Sequence, residues 1–351
     1  RAPRSPRSPR SPCSSRHAAA RAARRVHSDE VSAVESELSW RHAELGLRKH
    51  ISLCSRDSEV AASYKVQSKL GEGGYGSVHR AVRKSDGQIF ALKSIKIERE
   101  KDADRFDVEL GIAGRLSHPN INRVHEAFAL SESKVYHLVL SLCTGGSLRS
   151  KAMNNIRKST LNGVVFGLHH KTVARYLLQA ASALAYMHHH GMAHRDIKAD
   201  NFMLESSLPD AQTQLIDFGF ARDFSKGEKM MSQVGSLFYI APEVVAGMGY
   251  DEKCDVWGLG IVGYFLAVGQ TPFTGEDRSS VIKLITSSPV EFPRSLWVGQ
   301  PSPLREVITE LLQKDPERRP SAKGVCRDNR WLRHNREYEE GAQPQGCCTV
   351  S

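Results

Sequence analysis

From Tyr64 onward, apolar and polar positions begin to alternate. The stretches "YKVQSKL" (64–70) and "GSVHRAVRK" (76–84) keep the period of two that a half-buried strand needs, and "SDG" (85–87) turns the chain into "QIFALKSIKI" (88–97). A helix is predicted near residues 101–115, and "KVYHLVLSL" (134–142) reads as a further strand. After residue 169 the pattern is mainly helical. In "KTVARYLLQAASALAYMHHHG" apolar side chains recur at Val173, Leu177, Ala180, Leu184 and Met187, and Gly191 is the stop. The run "VWGLGIVGYFLAVG" (256–269) has 14 apolar-rich residues, too few to cross a bilayer, and reads as a buried helix. An α+β body is predicted: a small β-rich lobe followed by a larger, mainly α-helical lobe.

Composition changes this picture at the ends only. The net charge of the 351 residues is +10, but residues 1–25 hold eight arginines and no acid. Taking those eight from the 49 basic residues leaves 41 against 39 acids, so the body is nearly neutral. The repeat "RSPRSPRSPRSP" has nothing to bury and is expected to be disordered. Residues 28–50 carry one amphipathic helical pattern behind Ser28. The division is therefore a basic, largely disordered extension over 1–63, a catalytic body over 64–333 and a polar tail over 334–351. Arg1 stands where an initiator Met would be, so further sequence upstream is expected. A nucleic-acid partner is not expected, because the arm lacks interleaved aromatics.

The seven cysteines are odd in number and scattered, with no CxxC pair. Reduced thiols in a cytoplasmic setting follow, rather than a disulfide framework or a zinc site. The last four residues, Cys348, Thr349, Val350 and Ser351, fit the C-a-a-X pattern for farnesylation, and Cys347 beside them can take palmitate. Membrane association through that end is expected to need a second signal, from Cys347 or the arginine arm.

Two clusters carry chemistry. In "LGEGGYGSV", Gly71, Gly73 and Gly76 have GxGxxG spacing. A dinucleotide-binding fold requires a helix straight after the glycines, but here a strand and hairpin follow, and no GxxxxGK[ST] is present. A hairpin tip bringing backbone N–H groups close to phosphates remains. Lys93, in the apolar run "FALK", requires an anion, and Glu109 on the predicted helix is the candidate. The second cluster is "AHRDIKADN" (193–201). Asp196 can accept a hydroxyl proton, Lys198 can steady phosphate oxygens, and Asn201 can ligate Mg²⁺, with Asp217 of "DFG" as a second metal ligand. Phosphoryl transfer needs this set, because it demands positioning and charge neutralisation more than covalent chemistry. The histidines 188–190 are taken as a surface helix end.

Residues 64–333 resemble a eukaryotic protein kinase catalytic domain. The glycine loop, Lys93, Glu109, "HRDIKADN", "DFG" and "APE" (241–243) follow the family order and spacing. The resemblance implies a two-lobed protein-kinase fold with ATP and Mg²⁺ as cofactors, and protein Ser/Thr hydroxyls as acceptors. It also implies that Asp255 anchors the catalytic loop and that Arg319 pairs with Glu243. Leu70, Val78, Ala91 and Met203 would enclose the adenine, Leu140 would be the gatekeeper, and the backbones of Ser141 and Cys143 would form the hinge bonds.

Lys198 resembles the serine/threonine class, and "LCTGGSL" with "RPSAKGVCRDNRWL" is similar to the calcium/calmodulin-dependent group. No EF-hand loop occurs in the sequence, and 18 residues follow Arg333, so direct calcium control is not expected. Relatives commonly carry glutamates where this chain has Ser147 and Asp200, so a weaker preference for arginine before the phosphoacceptor is expected. Segment 149–168 looks longer than in relatives, with "NNIRKSTLNG" as a surface insert. By resemblance Ser236 contacts Asp196 and Lys198, and Ser232 is the loop phosphosite of an upstream activating kinase, paired by Arg195. A pseudokinase scaffold is the alternative from another class; it would require a missing catalytic group.

Overall fold

The first lobe is a sheet, and in the computed structural model, which describes residues 52–54, 57–73, 76–130, 134–159, 167–224 and 227–335, it is built from six strands. These are β1 (Ser52–Cys54), β2 (Tyr64–Gly73), β3 (Gly76–Arg83), β4 (Ile89–Lys96), β5 (Val124–Leu130) and β6 (Val135–Ser141), in the order β1-β5-β6-β4-β3-β2. Strands β2 to β6 pair antiparallel throughout, whereas β1 lies parallel to the β5 edge, with Leu53 opposite Ala127. Regular structure thus reaches back ahead of Tyr64, through β1 and the short helix α1 (Asp57–Ser63). The amphipathic pattern at 28–50, the arginine arm, Cys347 and Cys348 lie outside the described residues.

Alternation sorts the sheet's side chains. Val60, Tyr64, Ala81, Phe90, Leu92, Phe128 and Val139 form one small core, with Tyr64 edge-on to both Phe90 and Phe128. Helix α2 (Glu100–Ala113) covers the other face, and its Phe106 and Leu110 join the core that continues through the second lobe. One apolar cluster therefore runs under the cleft from sheet to helices.

The second lobe is helical, as expected. Its helices are α3 (Leu148–Ser159), α4 (His170–His189), α5 (Pro242–Val245), α6 (Lys253–Val268), α7 (Arg278–Ser287), α8 (Ser302–Leu311), α9 (Ala322–Asp328) and α10 (Arg330–His334). All five apolar positions read from the α4 period are buried, and Gly191 closes that helix at φ +69°. Every residue from Cys254 to Val268 is buried, so the apolar run of α6 is the hub of this lobe. Residues 154–159 of the expected surface insert are the last turns of α3. Short strands β7 (Met192–Ala193), β8 (Phe202–Leu204), β9 (Thr213–Leu215) and β10 (Arg222–Asp223) set the catalytic segments at the mouth of the cleft. None of the described helices is long and apolar enough to cross a membrane.

Candidate active site

Asp196 lies between β7 and a 3₁₀ turn at Ala199–Asn201, on a loop with little regular hydrogen bonding of its own. Its support comes from α6. The Asp255 carboxylate accepts from His194 N at 2.8 Å and from Arg195 N at 2.7 Å. His188 Nε2 lies 2.9 Å from the same carboxylate. Burial alone would push the Asp255 carboxyl up, but His188, His194 and the His194 backbone together hold it below the ordinary range. The three-histidine end of α4 is therefore not all surface. His189 and His190 are exposed, while His188 turns in to clamp Asp255. A second buried pair sits behind it: Arg319 Nη1 and Nη2 donate to Glu243 at 2.7 and 3.0 Å.

Two non-glycine residues of the site have positive φ, Arg195 on this loop at +67° and Asp217, just after β9, at +64°. Such conformations cost about 1–2 kcal/mol each and persist only where neighbours enforce them. For Arg195 the enforcing contacts are Asp255 at its amide and Phe220 O, which accepts from its Nε at 2.7 Å.

Four donors converge on the Asp196 carboxylate, which is 3% exposed. Oδ2 accepts from Lys198 Nζ at 2.5 Å and from Asn201 Nδ2 at 3.3 Å. Oδ1 accepts from the Ser236 amide at 3.0 Å and its hydroxyl at 2.8 Å. Ser236 reaches this place because Gly235 adopts φ +111° against the loop, where a Cβ would stand 2.8 Å from Arg195 O. Lys198 Nζ also lies 3.2 Å from Ser236 Oγ, so three of the residues expected together are together.

Above this floor, β4 presents Lys93 to α2. Lys93 Nζ donates to Glu109 at 2.6 and 2.8 Å and lies 3.3 Å from Asp217 Oδ1. Burial would lower the Lys93 pKa, but Glu109 and Asp217 outweigh it and raise it. Burial would likewise raise Asp217, and Lys93 and His194 outweigh it, so that carboxylate is held below its usual value. Both groups are charged at neutral pH.

Of the residues expected around adenine, Leu70, Val78, Ala91 and Leu140 are on the sheet and Met203 is in the second lobe. Ala91 pairs with Leu140 across β4 and β6, Val78 pairs with Lys93, Met203 is on β8, and Leu70 is half exposed at the rim. Ser141 N donates to Arg123 O, and Ser141 O accepts from Asn122 Nδ2 at 3.1 Å, leaving that carbonyl one further lone pair. Asn122, which the motif pattern did not single out, also reaches Cys143 Sγ and Gln214 and so braces the hinge. Burial pushes the Cys143 thiol up to about 11. Of the glycine loop, Gly71 faces open space, whereas a Cβ at Gly76 (φ +141°) would overlap Ser94 O, so Gly76 serves β3–β4 packing. Gly73 ends β2, at the edge of the described part of the loop.

At the rim, Ser147 Oγ accepts from Ser150 N at 3.1 Å and caps α3. Asp200 faces Arg149 Nε across 3.7 Å, a neighbour that motif reading missed. Ser232 is exposed, and its carbonyl accepts from the Tyr250 hydroxyl at 2.6 Å; Arg195 Nη1 lies 3.4 Å from that hydroxyl. Arg195 thus reaches the Ser232 backbone through Tyr250.

Comparison with known sequences decides the family: the protein kinase domain matches residues 64–332. The chain belongs to the protein kinase family. Among curated relatives it is 33% identical over 270 residues to calcium-dependent protein kinase 5 of Plasmodium berghei, covering 77% of this chain and 46% of that protein. It is 31% identical over 283 residues to calcium-dependent protein kinase 14 of Arabidopsis thaliana, covering 79% and 51%. With myosin light chain kinase A of Dictyostelium discoideum it shares 30% over 280 residues, covering 79% of this chain and 90% of that one. The chain thus spans about half the length of the calcium-dependent kinases it matches. The kinase domain accounts for the two lobes, and the strand β1 and helix α1 precede the matched region.

Proposed function

We propose that this kinase domain is a serine/threonine protein kinase that transfers the γ-phosphate of ATP to hydroxyls of protein substrates. The observation that carries the reading is the line of charge across the cleft. Glu109 holds Lys93, Lys93 meets Asp217, and Asp196 stands on the opposite side with Lys198 and Asn201 on its carboxylate. On this reading Lys93 receives the α- and β-phosphates, Asp196 orients and accepts the proton of the attacking hydroxyl, and Lys198 steadies the phosphoryl oxygens in flight. The relatives named above, both calcium-dependent and myosin light chain kinases, support the serine/threonine class.

The donor set suits Mg²⁺. Asp217 is an ionised hard-oxygen ligand, and Asn201 spends its amide N–H on Asp196 O and Oδ2, which leaves its amide oxygen as an acceptor. When bound, the ion neutralises phosphate charge. The presence of Asp196, Lys198, Lys93, Asn201 and Asp217 in the sequence supports the catalytic reading over a binding-only scaffold.

The test uses ATP labelled at the γ position with degenerate peptides bearing Ser, Thr or Tyr as sole acceptor. Label on the Ser and Thr peptides is expected; label on Tyr peptides alone, or none, would end the reading. For Ser232, phosphorylation by an upstream kinase would act through Tyr250 and Arg195. Replacement by Ala then lowers turnover severalfold after incubation with ATP and an activating kinase, and unchanged turnover would remove the role.

A further inference from the structure

Of the two positions where relatives commonly carry glutamates, Asp200 keeps a carboxylate, on the side of the cleft where, by family likeness, residues preceding the phosphoacceptor lie. It is not open. Arg149 Nε stands 3.7 Å from its Oδ1, with the two side chains 49% and 46% exposed. Arg149 is also held from behind, its guanidinium carbon 5.3 Å from the centroid of the buried Phe265 ring. The helix that carries it does not float: Ser147 caps its start, and α3 packs on the 3₁₀ turn that bears Asp200. Tyr239, buried beside them, has its hydroxyl pushed up to about 12 by burial and by Asp200, an effect that Arg149 partly opposes.

We propose that Arg149 is a specificity-determining residue of this kinase: it places the enzyme's own guanidinium where a substrate arginine would otherwise meet Asp200. The inference rests on the kinase reading and deepens it by naming a substrate class, Ser/Thr sites without a basic residue just upstream. An exposed ion pair of this kind is weak. Its effect on selection comes from two other facts. The arginine is tethered, so its effective concentration at Asp200 far exceeds that of a substrate side chain. An incoming guanidinium also meets a like charge, which works against it even if Arg149 moves aside. Ser147 compounds the effect. Its hydroxyl is engaged in the helix cap, and it offers no second carboxylate to restore a negative subsite.

The experiment compares two peptides identical except for Arg or Ala at the two and three positions before a single Ser, and reads the Arg/Ala ratio of kcat/KM within each variant. The wild type is expected to give a ratio near one. Arg149→Ala is expected to raise it about three- to tenfold, through KM, and Arg149→Gln, which keeps the side-chain length, to do the same. Arg149→Ala combined with Asp200→Asn should return it to near one. Because each ratio is internal to one protein, a partly unfolded variant still reports it. A wild-type ratio above ten, or an unchanged ratio in both single variants, would overturn the proposal. Absence of turnover with either peptide in the wild type would instead strike down the kinase reading beneath it.

Discussion

The floor and the rim of the cleft both use paired charges, and the pairs differ in almost every physical respect. On the floor, Arg319 and Glu243 are at most 4% exposed and meet through two bonds of 2.7 and 3.0 Å, and Asp255 is fully enclosed by His188 and the loop amides. At the rim, Arg149 and Asp200 are half exposed and 3.7 Å apart. Buried charges separated from their partners are left uncompensated, which costs several kcal/mol, whereas water replaces a partner at the surface almost without loss. The floor is therefore committed to one geometry, the one that holds Asp196. The rim is free to change sign without endangering the fold, which is what the role proposed for Arg149 in substrate choice requires.

The sharpest way to break this contrast is to remove one member of a floor pair. Glu243→Ala leaves Arg319 buried without its carboxylate and should destabilise the domain by about 3–5 kcal/mol, read as a large fall in Tm. A loss below about 1 kcal/mol would place the floor in the same class as the rim.

Asp255→Asn should cost somewhat less, about 1.5–3 kcal/mol, from weakened bonds to the His194 and Arg195 amides. The loss should also depend on pH in a defined direction. The folded Asp255 carboxyl titrates below its unfolded value, so its stabilisation is present above the unfolded pKa of about 4 and is lost as pH falls through the folded one. Urea melts of both proteins should differ most near neutral pH and begin to converge only as pH falls below about 4; a gap that stays constant as pH is lowered further would contradict the account.

The smallest expected effect belongs to the rim. Arg149→Ala should change stability by less than about 1 kcal/mol while shifting peptide preference. A floor-sized loss of stability from Arg149→Ala would erase the distinction.

How far the sequence revealed these regions follows the same division. The site's chemistry was legible because its residues cluster in short motifs: Asp196, Lys198 and Asn201 share one loop on the floor, and the Lys93–Glu109 pairing above it follows from a cation in an apolar strand needing an anion. Strands β2 to β4 were legible from their alternating stretches and the SDG turn, although β2 carries two register shifts and Phe90, Ala91 and Leu92 of β4 are all buried. Strand β5 was not, because "VHEAFAL" keeps no period of two, with Ala127 and Phe128 buried side by side. Strand β1 has three residues and exists by pairing with the β5 edge, so no local pattern announces it. The Arg149–Asp200 pair and the His188–Asp255 clamp each join positions more than 50 residues apart. Only the fold brings such partners together, and an arginine on a helix or one histidine among three looks like solvated surface until it does.

The central claim, that this floor exists to let Asp196 act on a hydroxyl, is tested most directly by the steady-state kcat of wild type and Asp196→Asn on one Ser peptide, with Mg·ATP affinity measured in parallel. The account predicts a fall in kcat of about 10²–10⁴-fold with nucleotide affinity little changed. Equal kcat in the two proteins would contradict it.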